Sequence, residues 1–325
     1  MRVAPSEKQE IIRIVERSEL GVNRTLKELG IHKSTFYKWY RVYEEKGMEG
    51  LLPQKKTRQQ WNSIPESQKQ LVVEVALDHP VLSPRELSVK ITDEQKIFIS
   101  ESSVYRILKL RNLITTPAYI LMSASNEFKK KTRFVHELWQ TDFTYFKILG
   151  WGWYYLSTIL DDYSRYIIYW ELCKTMAVQD VERSVDRALD IAGLQSGQRP
   201  KLLSDHGSCY IAAEFKEYLL SKGVKPIHGK INHPQTQGKI ERYHRSMKNI
   251  VNLDHYYCPD ELIEAVGNFV NYYNYKRYHE SLENVTPADV YWGKKEQILR
   301  RREKIKIQNM RLRRALYATE KLNNI

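Results

Sequence analysis

"LWQTDFTYFKIL", residues 138–149, is rich in aromatic and β-branched residues, reads as a β-strand, and carries Asp142 in its middle. Aspartate is disfavoured there and costly if buried without a partner, so something must compensate it. Two similar stretches follow, "WGWYYLSTIL" (151–160) and "SRYIIYWELC" (164–173), joined by short turns around Gly150/Gly152 and Asp161 to Ser164. That spacing predicts an antiparallel meander. Helix and strand then alternate: a helical stretch over 178–192, the strand "PKLLSD", the helix "AAEFKEYLLSKG", the strand "KPIHGKI", and a helix opening at Gly238. The fold class is α/β, a mixed sheet with helices on its faces.

Two more carboxylates stand out. Asp205 follows Leu202-Leu203 at the C-terminal end of a strand, before the turn "HGS", where α/β sheets usually bind ligands. Glu241, with 35 residues between it and Asp205, lies in "QTQGKIERYHRSMK" (235–248), on a helix whose apolar stripe is read as Ile240, Tyr243, Met247 and Ile250. Taken alone, Glu241 is an ordinary helix ion-pair partner for Arg245 one turn on. Taken with Asp142 and Asp205, it completes an oxygen-only set that selects Mg²⁺, with Mn²⁺ able to substitute, and suits two-metal phosphoryl transfer. Asp161 and Asp162 in "LDDYSRY" fall at a turn that favours Asp for local hydrogen bonding, and a metal role is not assigned to them. The nine histidines show no zinc-site spacing; His206 and His233 are at most DNA or water contacts.

Upstream, "NRTLKELGIHKSTFYKWYRVYEE" reads as helix, turn at Gly30, helix, preceded by a helix with Ile11, Ile14 and Val15. Leu26, Leu29, Ile31, Phe36, Trp39, Tyr40 and Tyr43 would form the core, leaving Lys33, Ser34, Tyr37 and Lys38 to face DNA from a recognition helix. Farther on, Ser83, Pro84 and Glu86 form a predicted capping box, and Ser100 opens a helix with Val104, Ile107 and Leu108 inward. This second helix-turn-helix offers Ser102, Ser103 or Arg106 to DNA, or is a structural module.

The chain has 325 residues, 42% of them hydrophobic, and a net charge of +13. Residues 1–134 hold 24 basic against 16 acidic residues, 135–293 hold 17 against 20, and 294–325 hold 11 against 3. Two basic flanks around a slightly acidic centre suit a protein that grips a polyanion with its ends. No apolar run approaches a membrane span and the N-terminus lacks a signal-peptide core, so a cytoplasmic protein is expected. Cys173, Cys209 and Cys258 are odd in number and widely spaced, which points to packing rather than disulfides or zinc. The tyrosines of 272–278 are read as packing, with base stacking the alternative.

With these residues in view, the chain resembles insertion-sequence transposases of the retroviral-integrase-like D,D,E superfamily. The resemblance runs through "WQTDFTY", "LLSDHGSCY" and "HPQTQGKIERYHRSMK", and through "YYNYKRYHESLENVTPADVY", in which Tyr278 stands where the family's tail usually has Pro. It implies an RNase H-like core with Asp142, Asp205 and Glu241 as catalytic metal ligands for two Mg²⁺ ions. It also implies binding of double-stranded DNA at element ends, strand cleavage freeing a 3′-OH, joining to target DNA, a homodimer or larger assembly on DNA, and a place in the prokaryotic cytosol at the nucleoid. Lys239, Arg245 and Lys248 would contact DNA, with Gln235 and Gln237 positioning its ends. The retroviral His-His-Cys-Cys zinc module has no counterpart in the sequence, because all three cysteines lie beyond residue 170. The expected domains are a helix-turn-helix over 1–52, a basic linker over 53–65, a second, winged-helix-like unit over 66–114, and a basic linker over 115–134. The RNase H-like catalytic domain follows over 135–293 and a basic helix over 294–325. That last helix is expected on DNA, on a second protomer, or solvated. The alternative function is a domesticated helix-turn-helix regulator that binds DNA without cutting it.

Overall fold

A computed structural model describes residues 5–18, 20–51, 60–114, 132–195, 197–228, 238–252 and 255–323. The Gln235, Gln237 and His233 assignments, and most of both linkers, lie outside the described residues. Contacts divide the chain into two compact units, 1–63 and 64–325.

The first unit is three helices, α1 (Pro5–Arg17), α2 (Val22–Glu28) and α3 (Lys33–Leu51), around Ile12, Val15, Leu26, Phe36 and Leu51. The inward stripe of α1 includes Ile12, whereas Ile14 and, after α2, Leu29 are exposed. Gly30, at φ +65°, makes the turn into α3, and the Ile31 N–H donates back to the Leu26 carbonyl at 2.9 Å. Trp39, Tyr40 and Tyr43 pack against the core as expected.

The second unit opens with α4 (Glu66–Asp78), α5 (Pro84–Gln95) and α6 (Glu101–Leu110). The capping box forms: the Glu86 N–H donates to Ser83 Oγ, and Glu86 accepts from the Ser83 N–H at 2.9 Å. Val104 and Leu108 are buried with Val72, Leu87, Ile91 and Ile99. Among the described residues this bundle has no strand, and the segment after α6 where a wing would lie, 115–131, is outside the described residues.

The sheet follows. β1 (Leu138–Ile148), β2 (Gly152–Asp161) and β3 (Ile167–Cys173) form the antiparallel meander, and β4 (Lys201–Ser204) and β5 (Lys225–His228) run parallel to β1, in the order β3-β2-β1-β4-β5. Helix α7 (Val178–Ala192) lies between β3 and β4, and α8 (Ser208–Ile211) and α9 (Ala213–Ser221) lie between β4 and β5. After β5 come α10 (Gly238–Val251), α11 (Pro259–Tyr275), α12 (Pro287–Tyr291) and α13 (Lys295–Asn323). This is an RNase H-like mixed sheet, flanked by helices, with helical regions before and after it.

Side chains alternate faces along a strand, and the two cores follow that rule. Trp139 and Leu202 pack with Val181, Val185 and Phe215 from α7 and α9. Phe146 and Ile148 pack on the other face with Ile240, Tyr243 and Met247 from α10 and Val266 and Phe269 from α11. Cys173 and Cys209 are buried packing residues; burial pushes the Cys173 thiol up to about 11.

The C-terminal helix neither floats nor leaves the unit. Arg302 grips Asp93 of α5 with two bonds, Nε to Oδ1 at 2.9 Å and Nη2 to Oδ2 at 2.6 Å, and donates to the Asn284 carbonyl at 2.8 Å. Asn309 donates to the Lys96 carbonyl and accepts from the Phe98 N–H, and Arg313 donates to the Phe98 carbonyl at 2.7 Å. Contacts within the chain therefore hold one face of α13 against α5 and the α5–α6 link. Tyr278 belongs to this seam: the Arg302 guanidinium lies over its ring, 5.7 Å from the centroid.

Candidate active site

Asp142 sits on β1 opposite Thr158 of β2. On its other side β1 pairs in parallel with β4, with Leu138, Trp139 and Gln140 opposite Lys201, Leu202 and Leu203. Continuing that register by two residues puts Asp142 level with Asp205, both on the face that α10 covers. The two carboxylates share neighbours: each acts electrostatically to raise the Cys209 thiol and the Tyr210 hydroxyl, whose main cause of shift is burial. Asp205 is held by its own turn, accepting the Gly207 N–H at 2.9 Å. A Cβ at Gly207 would meet the Asp205 carboxylate at 3.0 Å and the Tyr210 ring at 3.3 Å, so a side chain there would crowd the carboxylate.

Glu241 lies in the first turn of α10, where a carboxylate complements the helix dipole. Burial, and then Asp142, raise its pKa; Arg245, Arg242 and His244 oppose them. Two like charges at one end of a sheet thus feel each other directly. No ion pair closes between Glu241 and Arg245 among the described residues, and no three His, Cys, Asp or Glu side chains there come within reach of one metal ion. Asp142, Asp205 and Glu241 therefore line one end of one face without meeting at a point.

The first turn of α10 is pinned to the sheet. Gln140, fully buried, donates from Nε2 to Asp162 at 2.7 Å and accepts the Ile240 N–H on Oε1 at 3.1 Å. Asp162 also accepts from Thr132 at 2.6 Å and pairs with Lys239 at 2.6 Å. Lys239, expected among the DNA contacts, has its ammonium turned inward onto Asp162, and burial lowers its pKa against the pull of that carboxylate. Asp161 is the local turn residue expected of both, accepting from the Ser164 N–H and hydroxyl and from the His136 N–H, whereas Asp162 reaches across the fold.

Sequence reading also missed His244. It belongs to the true inward stripe of α10, which is Ile240, Tyr243, His244, Met247 and Val251, with Ile250 exposed. Its Nδ1 lies 3.4 Å from Asp142 and its Nε2 3.4 Å from Thr158. The signal was available: position 244 is one turn from Ile240, and a helix stripe takes i+4 as readily as i+3.

Arg245 is exposed and Lys248 half-buried on α10. Lys33, Ser34, Tyr37 and Lys38 all lie exposed on α3. Arg106 is exposed on α6, its guanidinium folded back on the Ser102 carbonyl at 3.0 Å.

Residues 134–234 and 222–287 match two family models, each described as an integrase core domain, which together take in Asp142, Asp205 and Glu241. Over 134–287 the chain is thus similar to integrase core domains. Ahead of the integrase core, residues 7–58 match a helix-turn-helix domain and 35–108 a homeodomain-like domain. The transposase for transposon Tn552 of Staphylococcus aureus is 22% identical over 273 residues, 76% of this chain and 56% of that protein. The chain thus spans about half the length of that curated relative. Among solved structures, the HTLV-2 integrase catalytic core domain in complex with magnesium is 21% identical, covering 49% of this chain and 97% of that one, with a TM-score of 0.39. A chain in the structure of the simian T-cell lymphotropic virus intasome in complex with PP2A regulatory subunit B56 gamma is 16% identical, covering 63% of this chain and 74% of that one, with a TM-score of 0.44.

Proposed function

We propose that the chain is a transposase that cleaves DNA at element ends and joins the freed 3′-OH to target DNA. The observation that carries this reading is the level placement of Asp142 and Asp205 on parallel β1 and β4, with Glu241 over the same face on the pinned turn of α10. The donor set fits divalent magnesium: oxygen ligands only, with burial and then Asp142 raising the cost of ionising Glu241. Asp142, Asp205 and Glu241 would hold the ions. When bound, two such ions would lower the pKa of the attacking hydroxyl and stabilise the charge on the leaving 3′ oxygen.

In the proposed role the protein's own residues do the positioning. Arg245 and Lys248 orient the phosphates, and the Gln140–Asp162–Lys239 network keeps Glu241 at the sheet end. In this reading the helical units over 1–52 and 66–114 hold the element end, through Lys33, Ser34, Tyr37 and Lys38 in the first and Arg106 in the second, and 135–293 performs the chemistry. Two ends must be joined, so at least two copies act together. No described helix is long and apolar enough to cross a membrane, and a role on chromosomal DNA places the chain in the cytosol.

Labelled element-end DNA incubated with Mg²⁺ and the chain tests this. Wild type should nick the end, and Asp142→Asn, Asp205→Asn and Glu241→Gln should each abolish nicking while still binding duplex. Undiminished cleavage by the three variants would overturn the ligand assignment; duplex binding without cleavage by wild type would favour the regulator.

A further inference from the structure

Past Asp142, the hairpin of β1 and β2 turns an aromatic and basic face outward. Lys147 pairs with Trp153 and Tyr145 with Tyr155 across the hairpin, so Tyr145, Lys147 and Trp153 share one face. That face is opposite the one carrying Asp142. Tyr145 is 58% exposed and Trp153 51%, far above what packing residues of their size show. Their rings meet edge to face at 5.5 Å, with Lys147 over the Trp153 ring at 5.7 Å and Lys248 over the Tyr145 ring at 4.3 Å.

The rings border a groove of about 370 Å³, which Lys147, Lys248, Asn252 and His255 also line and to which, among the described residues, no carboxylate contributes. Lys248 links the groove to the candidate active site. β4 pairs with β1 only as far as Gln140, so among the described residues the edge of β1 beyond it carries no strand. Lys248 comes from the helix that bears Glu241 and feels the charge of Asp142, yet its ammonium rests on Tyr145. One lysine thus joins the carboxylate face to the aromatic face around an open edge.

We propose that this groove binds single-stranded DNA next to the reaction centre, with bases stacking on Tyr145 and Trp153 and phosphates meeting Lys147 and Lys248. Flat exposed rings beside cations match the two chemistries of an unpaired strand, its base faces and its phosphates. A protein surface would gain little from two lysines already lying on the rings. The inference deepens the reading of the site as a strand-transfer centre, and rests on it only for the direction the strand takes.

The test uses the full chain in EDTA, so that binding is read apart from cleavage. A fluorescent oligothymidylate of about 20 nucleotides is titrated by anisotropy against wild type, Tyr145→Ala, Trp153→Ala and Trp153→Phe, with an iodouracil-substituted version cross-linked to wild type and mapped. We expect Trp153→Ala and Tyr145→Ala each to weaken binding about tenfold, Trp153→Phe to restore it, duplex affinity to stay unchanged, and cross-links to fall on Tyr145 or Trp153. Equal binding by the alanine variants, with cross-links elsewhere, would overturn the proposal. So would loss of self-association by Trp153→Ala in sedimentation without change in oligonucleotide affinity, which would make the face a contact between copies. Should Trp153→Ala fail to fold by circular dichroism, the wild-type cross-link map alone decides. Loss of oligonucleotide binding in the variants, together with no cleavage by wild type in Mg²⁺, would leave the groove standing and reject the strand-transfer reading.

Discussion

Gln140 Oε1 accepts the N–H of Ile240 at 3.1 Å, which ties β1, two residues before Asp142, to α10, one residue before Glu241. A single amide thereby sets the spacing of two carboxylates that lie about 100 residues apart in the chain.

Gln140→Ala should orphan the Ile240 N–H and remove one bond from Asp162, costing about 1–3 kcal/mol. Urea unfolding reads that loss. Strand cleavage should fall further than stability alone explains, because Glu241 loses its fixed height.

The Lys239–Asp162 pair is largely shielded, with side chains 22% and 6% exposed. Breaking it by Lys239→Met should cost up to about 3–5 kcal/mol, since Asp162 keeps a buried charge. Adding Asp162→Asn should recover part of that loss, a recovery that a lysine serving only DNA would not give. Denaturation of the two variants and their combination measures it.

On α3, Lys33 and Lys38 are exposed and free to meet phosphates. Replacing either with Ala should lower the slope of log affinity against log salt for element-end duplex by about 0.9. Lys239→Met, provided it remains folded, should leave that slope unchanged.

The Arg302–Asp93 bond is the firmest link between α13 and the second helical bundle. Arg302→Ala and Asp93→Ala should each speed proteolysis within 294–323, with a coupling energy of about 0.5–3 kcal/mol in a double-mutant cycle. The sheet should stay folded, which near-ultraviolet circular dichroism checks.

His279 is held down to about 3 from its ordinary 6.5 by burial and then by Arg277, Arg165 and Arg85. Between those values the unfolded chain binds a proton that the folded one refuses, so stability should rise with pH from about 3 to about 6.5 and level off above. In His279→Gln that rise should shrink, as read from urea midpoints across pH.

Much of this was legible in the residues. The meander, α7, the capping box at Ser83 and the inward Val104 and Leu108 follow local periodicity and cap chemistry, which need no partner. Asp142 and Asp205 announced themselves as carboxylates in and at the end of strands. What stayed hidden depends on distant partners: Lys239 looks like a surface lysine until Asp162, 77 residues away, is brought beside it. Likewise Asp162 reads as a turn residue, and nothing in the last 32 residues shows that Arg302 will find Asp93. Ile14 and Ile250 were misread for a simpler reason, because a stripe on a short helix fits two neighbouring phases almost equally well.

The alternation of sides along β1 makes the site sensitive to the parity of any length change. Deleting one residue between Trp139 and Asp142 would swing the carboxylate to the α7 side, among Val181 and Phe215, and bring an aromatic toward Glu241. Deleting two would return it to the right side but one step out of line with Asp205. Insertions in the turn after Ile148 change neither, so this end of the hairpin is where relatives can differ in length without losing the alignment of the two aspartates.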